Sequence, residues 1–229
     1  MRLDRYLSNA KVGSRSYVKK LIREGLVKVN NVVVTDPSFE VKPEDKVFLE
    51  GNPVAPHRLV YLVFNKPAGY VSDRTDYEAS IFDLIDHPYI DELHVAGRLD
   101  KDVEGMMILT NDGQFTHKLI SPKYKIEKEY HVIFRGKIDQ EKLSKAHQGV
   151  YIDGEKFTPK KIEVISDNLL CIVLTEGKHH EVKKILKYLG VEYEKIKRVR
   201  IGKLSLQNLE PGTFKELSEE EKQLLLLNP

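Results

Sequence analysis

Apolar residues at Leu3, Tyr6, Leu7 and Ala10 recur at helical spacing and predict a short first helix. Gly13 interrupts the pattern and Ser14 is a good N-cap for a second helix over about 15–24. In that helix Val18, Leu21 and Ile22 form the apolar stripe, and Gly25 ends it. VKVNNVVV then reads as a hairpin turning at Asn30-Asn31, because Asn tolerates the positive φ of a type I′ turn. Residues 51–59, opening GNPVAPHR, carry two prolines and no period, and read as a linker between a small unit at 1–50 and a larger one at 60–229.

The larger unit changes period repeatedly. LVYLVFNKP, HVAGRLD, MMILT, EYHVIFRG, KIEVIS and LLCIVLTEG are strand candidates. Asp83 to Ile85 fit a short helix, and HEVKKILKYLG places Val182, Ile185, Leu186 and Leu189 on one side of a longer one. A capping box at Ser218–Glu221 opens a last helix into the leucines at 224–227. Strands and helices do not alternate regularly. The expected class is therefore α+β, with a mixed, mainly antiparallel sheet flanked by helices.

Composition adds limits. Hydrophobic content of 41% and charged content of 31% describe an ordinary globular chain. No 18-residue apolar run is present and MRLDRYLSNA is too charged for a secretory signal, so the expected location is the cytoplasm, with no membrane partner. The single cysteine, Cys171, excludes an internal disulfide and a Cys-based zinc site. The net charge of +2 hides an asymmetry. Residues 1–30 hold eight Lys/Arg against two acids, and residues 178–203 hold nine against three. Arg15, Lys19 and Arg23 share one helix face, with Lys20 beside them. Such clusters suit a polyanion such as RNA, although two merely solvated faces would look the same.

Nucleotide-binding glycine motifs and the G-x-S-x-G elbow are absent. His179-His180-Glu181 starts like a zinc motif, but Lys184 stands where the second histidine would fall. Asp100 and Asp102 lack a third acid to hold Mg²⁺. Neither metal nor organic cofactor is expected. Three segments keep two readings open. Arg98 and Asp100, flanking Leu99, are either an edge-strand ion pair or an active site. Tyr130 is a core tyrosine or a stacking platform for a base. Lys183 is a surface lysine or the partner of a carboxylate in a dry site.

The first fifty residues, with their short helix, Ser-Arg helix and V-x-V-N hairpin, resemble the S4 RNA-binding domain. NKPAGYV (65–71), AGRLDKDVEGMMILTNDG (96–113), EKEYHV (127–132), TEGKHHEVKKIL (175–186) and RVRIGKLSL (198–206) resemble the pseudouridine synthases that join an S4 domain to a catalytic domain. That resemblance implies an enzyme that isomerises uridine without redox chemistry or ATP. It implies that Asp100 is the catalytic aspartate and that Arg98 assists base flipping or pairs with Asp100. It implies that Tyr130 stacks on the base and that Lys183 pairs with the aspartate. Leu99 and Ile185 or Leu186 would line the pocket. Arg2, Arg5, Arg15, Lys19, Lys20, Arg23, Lys178, His179 and His180 would meet RNA. Val103, in place of a small hydroxyl residue, and Glu181, in place of Gln, depart from the pattern away from the implied catalytic positions; Glu181, through a weaker contact to RNA, puts substrate choice in doubt.

The direct start at MRLD, the absence of a long basic tail after 217 and SPKYKIEKEY look most like the small-subunit branch, which acts on uridine 516 of 16S rRNA. A monomer acting on that RNA, free or in a partly assembled small subunit, is expected. The alternatives are the same chemistry on 23S rRNA, or a non-catalytic S4-type ribosome-binding or assembly protein.

Overall fold

The computed structural model of the chain describes residues 1–55 and 58–229, which divide into two units at Arg58/Leu59. In the first unit α1 (Leu3–Asn9) and α2 (Arg15–Arg23) pack on a small sheet. Ser14 caps α2, its Oγ accepting from the Tyr17 N–H at 3.3 Å. Strands β1 (Val27–Val29) and β2 (Val32–Val33) join through Asn30 and Asn31, both at positive φ, as the hairpin reading requires. Leu3, Leu7, Val18, Ile22, Val27 and Val47 close the core between helices and sheet. At roughly 1.5–3 kcal/mol per buried aliphatic side chain, this core is what holds so small a unit.

The linker reading needs correction. β3 (Val47–Leu49) turns at Glu50-Gly51, both at positive φ, into β4 (Asn52–Val54), giving the order β2-β1-β3-β4. Pro53 is tolerated because β4 is an edge strand, where a missing N–H costs nothing. Of the expected linker, Pro56 and His57 lie outside the described residues.

The second unit runs β5 (Tyr61–Lys66), β6 (His94–Val95), β7 (Glu104–Thr110), α3 (Gly113–Ile120), β8 (Lys128–Arg135), α4 (Gln140–Gln148), β9 (Val150–Ile152) and β10 (Glu155–Phe157). It continues with β11 (Lys161–Ser166), β12 (Leu169–Leu174), α5 (Glu181–Leu189), β13 (Glu192–Ile201), β14 (Leu204–Ser205), β15 (Phe214–Glu216) and α6 (Glu219–Leu225). The main sheet has the order β11-β12-β8-β13-β7-β5-β15, with β6 added to β7 and β14 to β13. Its named strand pairs are antiparallel except β13 with β7. The fold is thus α+β with a mixed, mainly antiparallel sheet.

Both faces of β7 are buried, which is why MMIL shows no alternation. Met107 and Leu109 pack with Val182, Ile185 and Leu186 of α5 and Ala146 of α4. Met106 and Ile108 pack with Phe115 and Leu119 of α3 and Leu225 of α6. Gly105 makes the parallel pairing possible. It sits at φ +108° opposite Arg198, and a Cβ there would lie 2.2 Å from the Arg198 carbonyl oxygen.

Candidate active site

The chain leaves β6, turns at Gly97 (φ +95°) and runs as a loop to β7. HVAGRLD is therefore strand only at His94–Val95, and the expected extended geometry that would place Arg98 and Asp100 side by side is not formed. Three side chains hold this loop. Ser72 Oγ donates to the Leu99 carbonyl at 2.6 Å and accepts from the Leu99 N–H at 3.1 Å. Arg198, 2% exposed, donates from Nη2 to the Gly97 carbonyl at 3.0 Å and from Nε to that of Met106 at 2.7 Å. Lys66, with no exposed surface, donates to the carbonyls of Val103 at 2.8 Å, Lys101 at 3.0 Å and Pro67 at 3.2 Å. Burial pulls its amine down to about 8.

The loop presents Asp100 to a cleft open to solvent. Arg98, Leu99 and Val103 line it from the loop, and Tyr130 from β8. Leu174, Val182 and Ile196 complete the apolar wall, and His180, Glu181 and Lys183 bring α5. Lys183 Nζ lies 2.9 Å from Asp100 Oδ2 and 2.6 Å from Asp102 Oδ1. The ammonium occupies the space between the two carboxylates that a Mg²⁺ reading would need. Burial by itself would lower Lys183; the hydrogen bonds to Asp102 and Asp100 outweigh it and hold the ammonium above its usual range. His180 Nε2 is 3.5 Å from Asp100 Oδ1.

Other expected residues sit differently. Arg98 pairs with Asp73 at 2.7 Å, on the surface, instead of with Asp100. Ile185 and Leu186 are buried in the core under the sheet and do not line the cleft; Val182, one turn earlier on α5, does. Burial raises the Glu181 carboxyl, and its Oε2 accepts from the Lys178 N–H at 3.1 Å. Lys178 pairs with Glu176 at 3.1 Å, and His179 stacks on His180. In the first unit Arg5, Arg15, Lys20 and Arg23 are exposed. Arg2 and Lys19 lie 3.1 and 3.8 Å from the buried Asp4, whose carboxyl the Arg2 hydrogen bond holds below the usual range.

Among the described residues one group, Glu129, His131 and Cys171, has donor atoms close enough for a metal. Arg200 already takes one Glu129 oxygen at 2.7 Å and His131 the other at 3.0 Å, and burial pushes the thiol up to about 11. Among the described residues no helix is long and apolar enough to cross a membrane.

A lysine-held aspartate lies in a cleft with a tyrosine in its wall, and the same chain carries a separate basic two-helix unit; both features suit an enzyme that acts on RNA. The chain belongs to the RNA pseudouridylate synthase family, which it matches over residues 60–188, and residues 1–47 match the S4 domain. An uncharacterized RNA pseudouridine synthase of Aquifex aeolicus is 41% identical over 100% of this chain and 99% of its own length. A ribosomal small subunit pseudouridine synthase A of Vibrio cholerae is 35% identical, covering 96% of this chain and 97% of its own. A crystal structure of a pseudouridylate synthase aligns with a TM-score of 0.70 at 31% identity, covering 98% of this chain and 99% of that one.

Three residues that build this site, Lys66, Arg198 and Tyr193, have no role in the sequence reading, and Asp102 enters it only as a rejected Mg²⁺ ligand. Lys66 had a signal, since a lysine directly after the apolar run LVYLVFN must either leave the strand or be buried with partners. Arg198 depends on β13 lying beside β7, and Asp102 and Tyr193 on where Lys183 of α5 comes to rest; no local pattern states either.

Proposed function

We propose that the chain isomerises a uridine of 16S rRNA, uridine 516 in the small-subunit numbering, with Asp100 as the reacting carboxylate. The observation that carries this reading is the seating of Asp100 in the cleft, 2.9 Å from Lys183, with Tyr130 in the same wall. The other acids of the cleft are engaged elsewhere: Glu181 with the Lys178 backbone and Glu176 with the Lys178 ammonium.

In this reading the uridine is flipped out of its stack, at about a few kcal/mol, and Tyr130 receives the base. Asp100 acts at the glycosidic centre as nucleophile or base. The N1–C1′ bond breaks, the base turns, C5 bonds to C1′, and the C5 proton leaves as N1 gains one. No electrons are transferred in net. Arg98 enters the helix the base has left. The exposed cations Arg5, Arg15, Lys20 and Arg23, together with Lys19, track phosphates, with Lys178 and His179 at the mouth of the cleft. The Vibrio relative's small-subunit name supports 16S rRNA over 23S rRNA. We further take the protein to act as a cytoplasmic monomer, on free RNA or a partly assembled small subunit, with residues 1–50 as the RNA-docking unit.

The test is carbodiimide mapping of pseudouridine on 16S and 23S transcripts and on small-subunit particles, with wild type and Asp100→Asn. A new stop on 16S RNA, lost in the variant while RNA binding persists, is the expected result. A stop only on 23S RNA overturns the substrate assignment. Undiminished turnover by Asp100→Asn overturns the role of Asp100.

A further inference from the structure

Asp102 and Tyr193 stand outside the lining of the cleft, yet both end on its lysine. Lys183 Nζ is 2.6 Å from Asp102 Oδ1 and 2.9 Å from Asp100 Oδ2, so two carboxylates share one ammonium. Tyr193, from β13, donates its hydroxyl to the second Asp102 oxygen at 2.8 Å, and its ring centre lies 5.8 Å from the ammonium. Both Asp102 oxygens are therefore engaged, one by the lysine and one by the phenol.

We propose that Asp102 and Tyr193 are positioning residues that tether Lys183 from the side away from the substrate and withhold part of its charge from Asp100. This rests on the reading of Asp100 as the reacting carboxylate. A lysine has a flexible four-carbon stem and three donors, so a single partner leaves it free to swing. A second carboxylate, itself fixed by a phenol on the central strand, removes that freedom. It also divides the charge. An ammonium given wholly to Asp100 would favour the resting carboxylate and weaken it as nucleophile or base; a shared one orients Asp100 without quenching it.

The other charged groups around the tether are His180, 3.5 Å from Asp100 on the α5 side, and Lys66 beneath the loop. Glu104, at the start of β7, is paired with Lys195 at 2.7 Å. Burial by itself would raise the Asp102 carboxyl, but the Lys183 and Tyr193 hydrogen bonds outweigh it and leave it below the usual range. Asp102 is thus charged at neutral pH, as charge sharing requires.

The experiment is tritium release from 16S and 23S transcripts carrying 5-tritiated uridine, followed across pH for wild type, Asp102→Asn, Tyr193→Phe and Asp100→Asn. Asp102→Asn removes a negative charge beside Asp100. The acid limb of kcat is expected to move down by about 0.5–1 pH unit, with a roughly tenfold lower plateau and KM within about twofold. Tyr193→Phe removes no charge, so the limb is expected to stay while kcat falls about threefold at unchanged KM. A folded Asp102→Asn with the wild-type limb, or Tyr193→Phe with wild-type kcat, overturns the inference. Retained turnover by Asp100→Asn would instead overturn the reading beneath it. Circular dichroism establishes folding, and Tyr193→Phe decides alone where Asp102→Asn does not fold.

Discussion

The Lys66 ammonium lies 2.8 Å from the carbonyl of Val103 and fastens β5 to the end of the loop that carries Asp100. Burial lowers the amine to about 8, against about 10.4 in an unfolded chain. Between those values the unfolded chain binds more protons than the folded one, so this group makes stability rise with pH across that window. The expected result is that the stability of wild type over Lys66→Met grows from about pH 8 to 10, by up to roughly 3 kcal/mol. Lys128, also lowered to about 8 by burial, is present in both proteins and cancels. Urea melts at several pH values check this, and a gap that stays flat would refute it.

Arg98 and Asp73 form a pair in which both side chains are more than 60% exposed, at 68% and 62%. Exposed pairs contribute about 0–1 kcal/mol, so Asp73→Asn is expected to leave thermal stability nearly unchanged. It frees Arg98 for phosphate or base, and RNA affinity should rise by about two- to fivefold, with the gain shrinking in high salt. Filter binding measures it; equal affinity would show that the pair does not compete with RNA.

Gly105→Ala is expected to destabilise the second unit by more than about 3 kcal/mol. The added carbon meets the Arg198 backbone, so no rotamer can relieve it, and φ +108° is strained for alanine besides. Gly113→Ala, where a Cβ meets nothing within 4 Å, is the control and should cost little. Comparable melting temperatures for the two would contradict the parallel β13–β7 register.

Removing residues 1–58 takes away the basic unit up to its observed boundary with the rest. The remaining chain keeps both hydrophobic clusters of the large sheet and should fold. RNA affinity should drop and the salt dependence of binding flatten, since the exposed cations of α1 and α2 go with it. Circular dichroism and salt-titrated binding report the two effects separately. An unfolded fragment would refute the first.

What was legible in the sequence followed local rules. Ser14, the Asn30-Asn31 turn, the α5 stripe and the Ser218 box are each set by neighbours within a few positions, and each stands where its pattern placed it. The pairing of Lys183 with a carboxylate was visible through family resemblance, while the second carboxylate on that lysine was not. The placement of Arg98 failed because Gly97 turns the chain, so the two-residue spacing no longer fixes one face. Ile185 and Leu186, pocket residues by the resemblance, are packed in the core, while Val182, one turn earlier on the same side of α5, lines the cleft. Strand β13 was missed because EYEKIKRV is charged at most positions, although its alternate residues Ile196 and Arg198 are buried.

Strand β13 lies between β8 and β7 in the sheet although it comes near the end of the chain. Before it inserts, β5, β6 and β7 can form one ribbon and β8, β12 and β11 another, each from nearby residues. Asp100 belongs with the first ribbon and Tyr130 with the second. Asp100 and Tyr130 line one cleft from opposite sides of β13, so residues 192–201 are what joins the two halves of the site in one sheet. A chain ending before residue 192 would hold Asp100, Tyr130 and Lys183 and lack the strand that joins the two halves of their cleft.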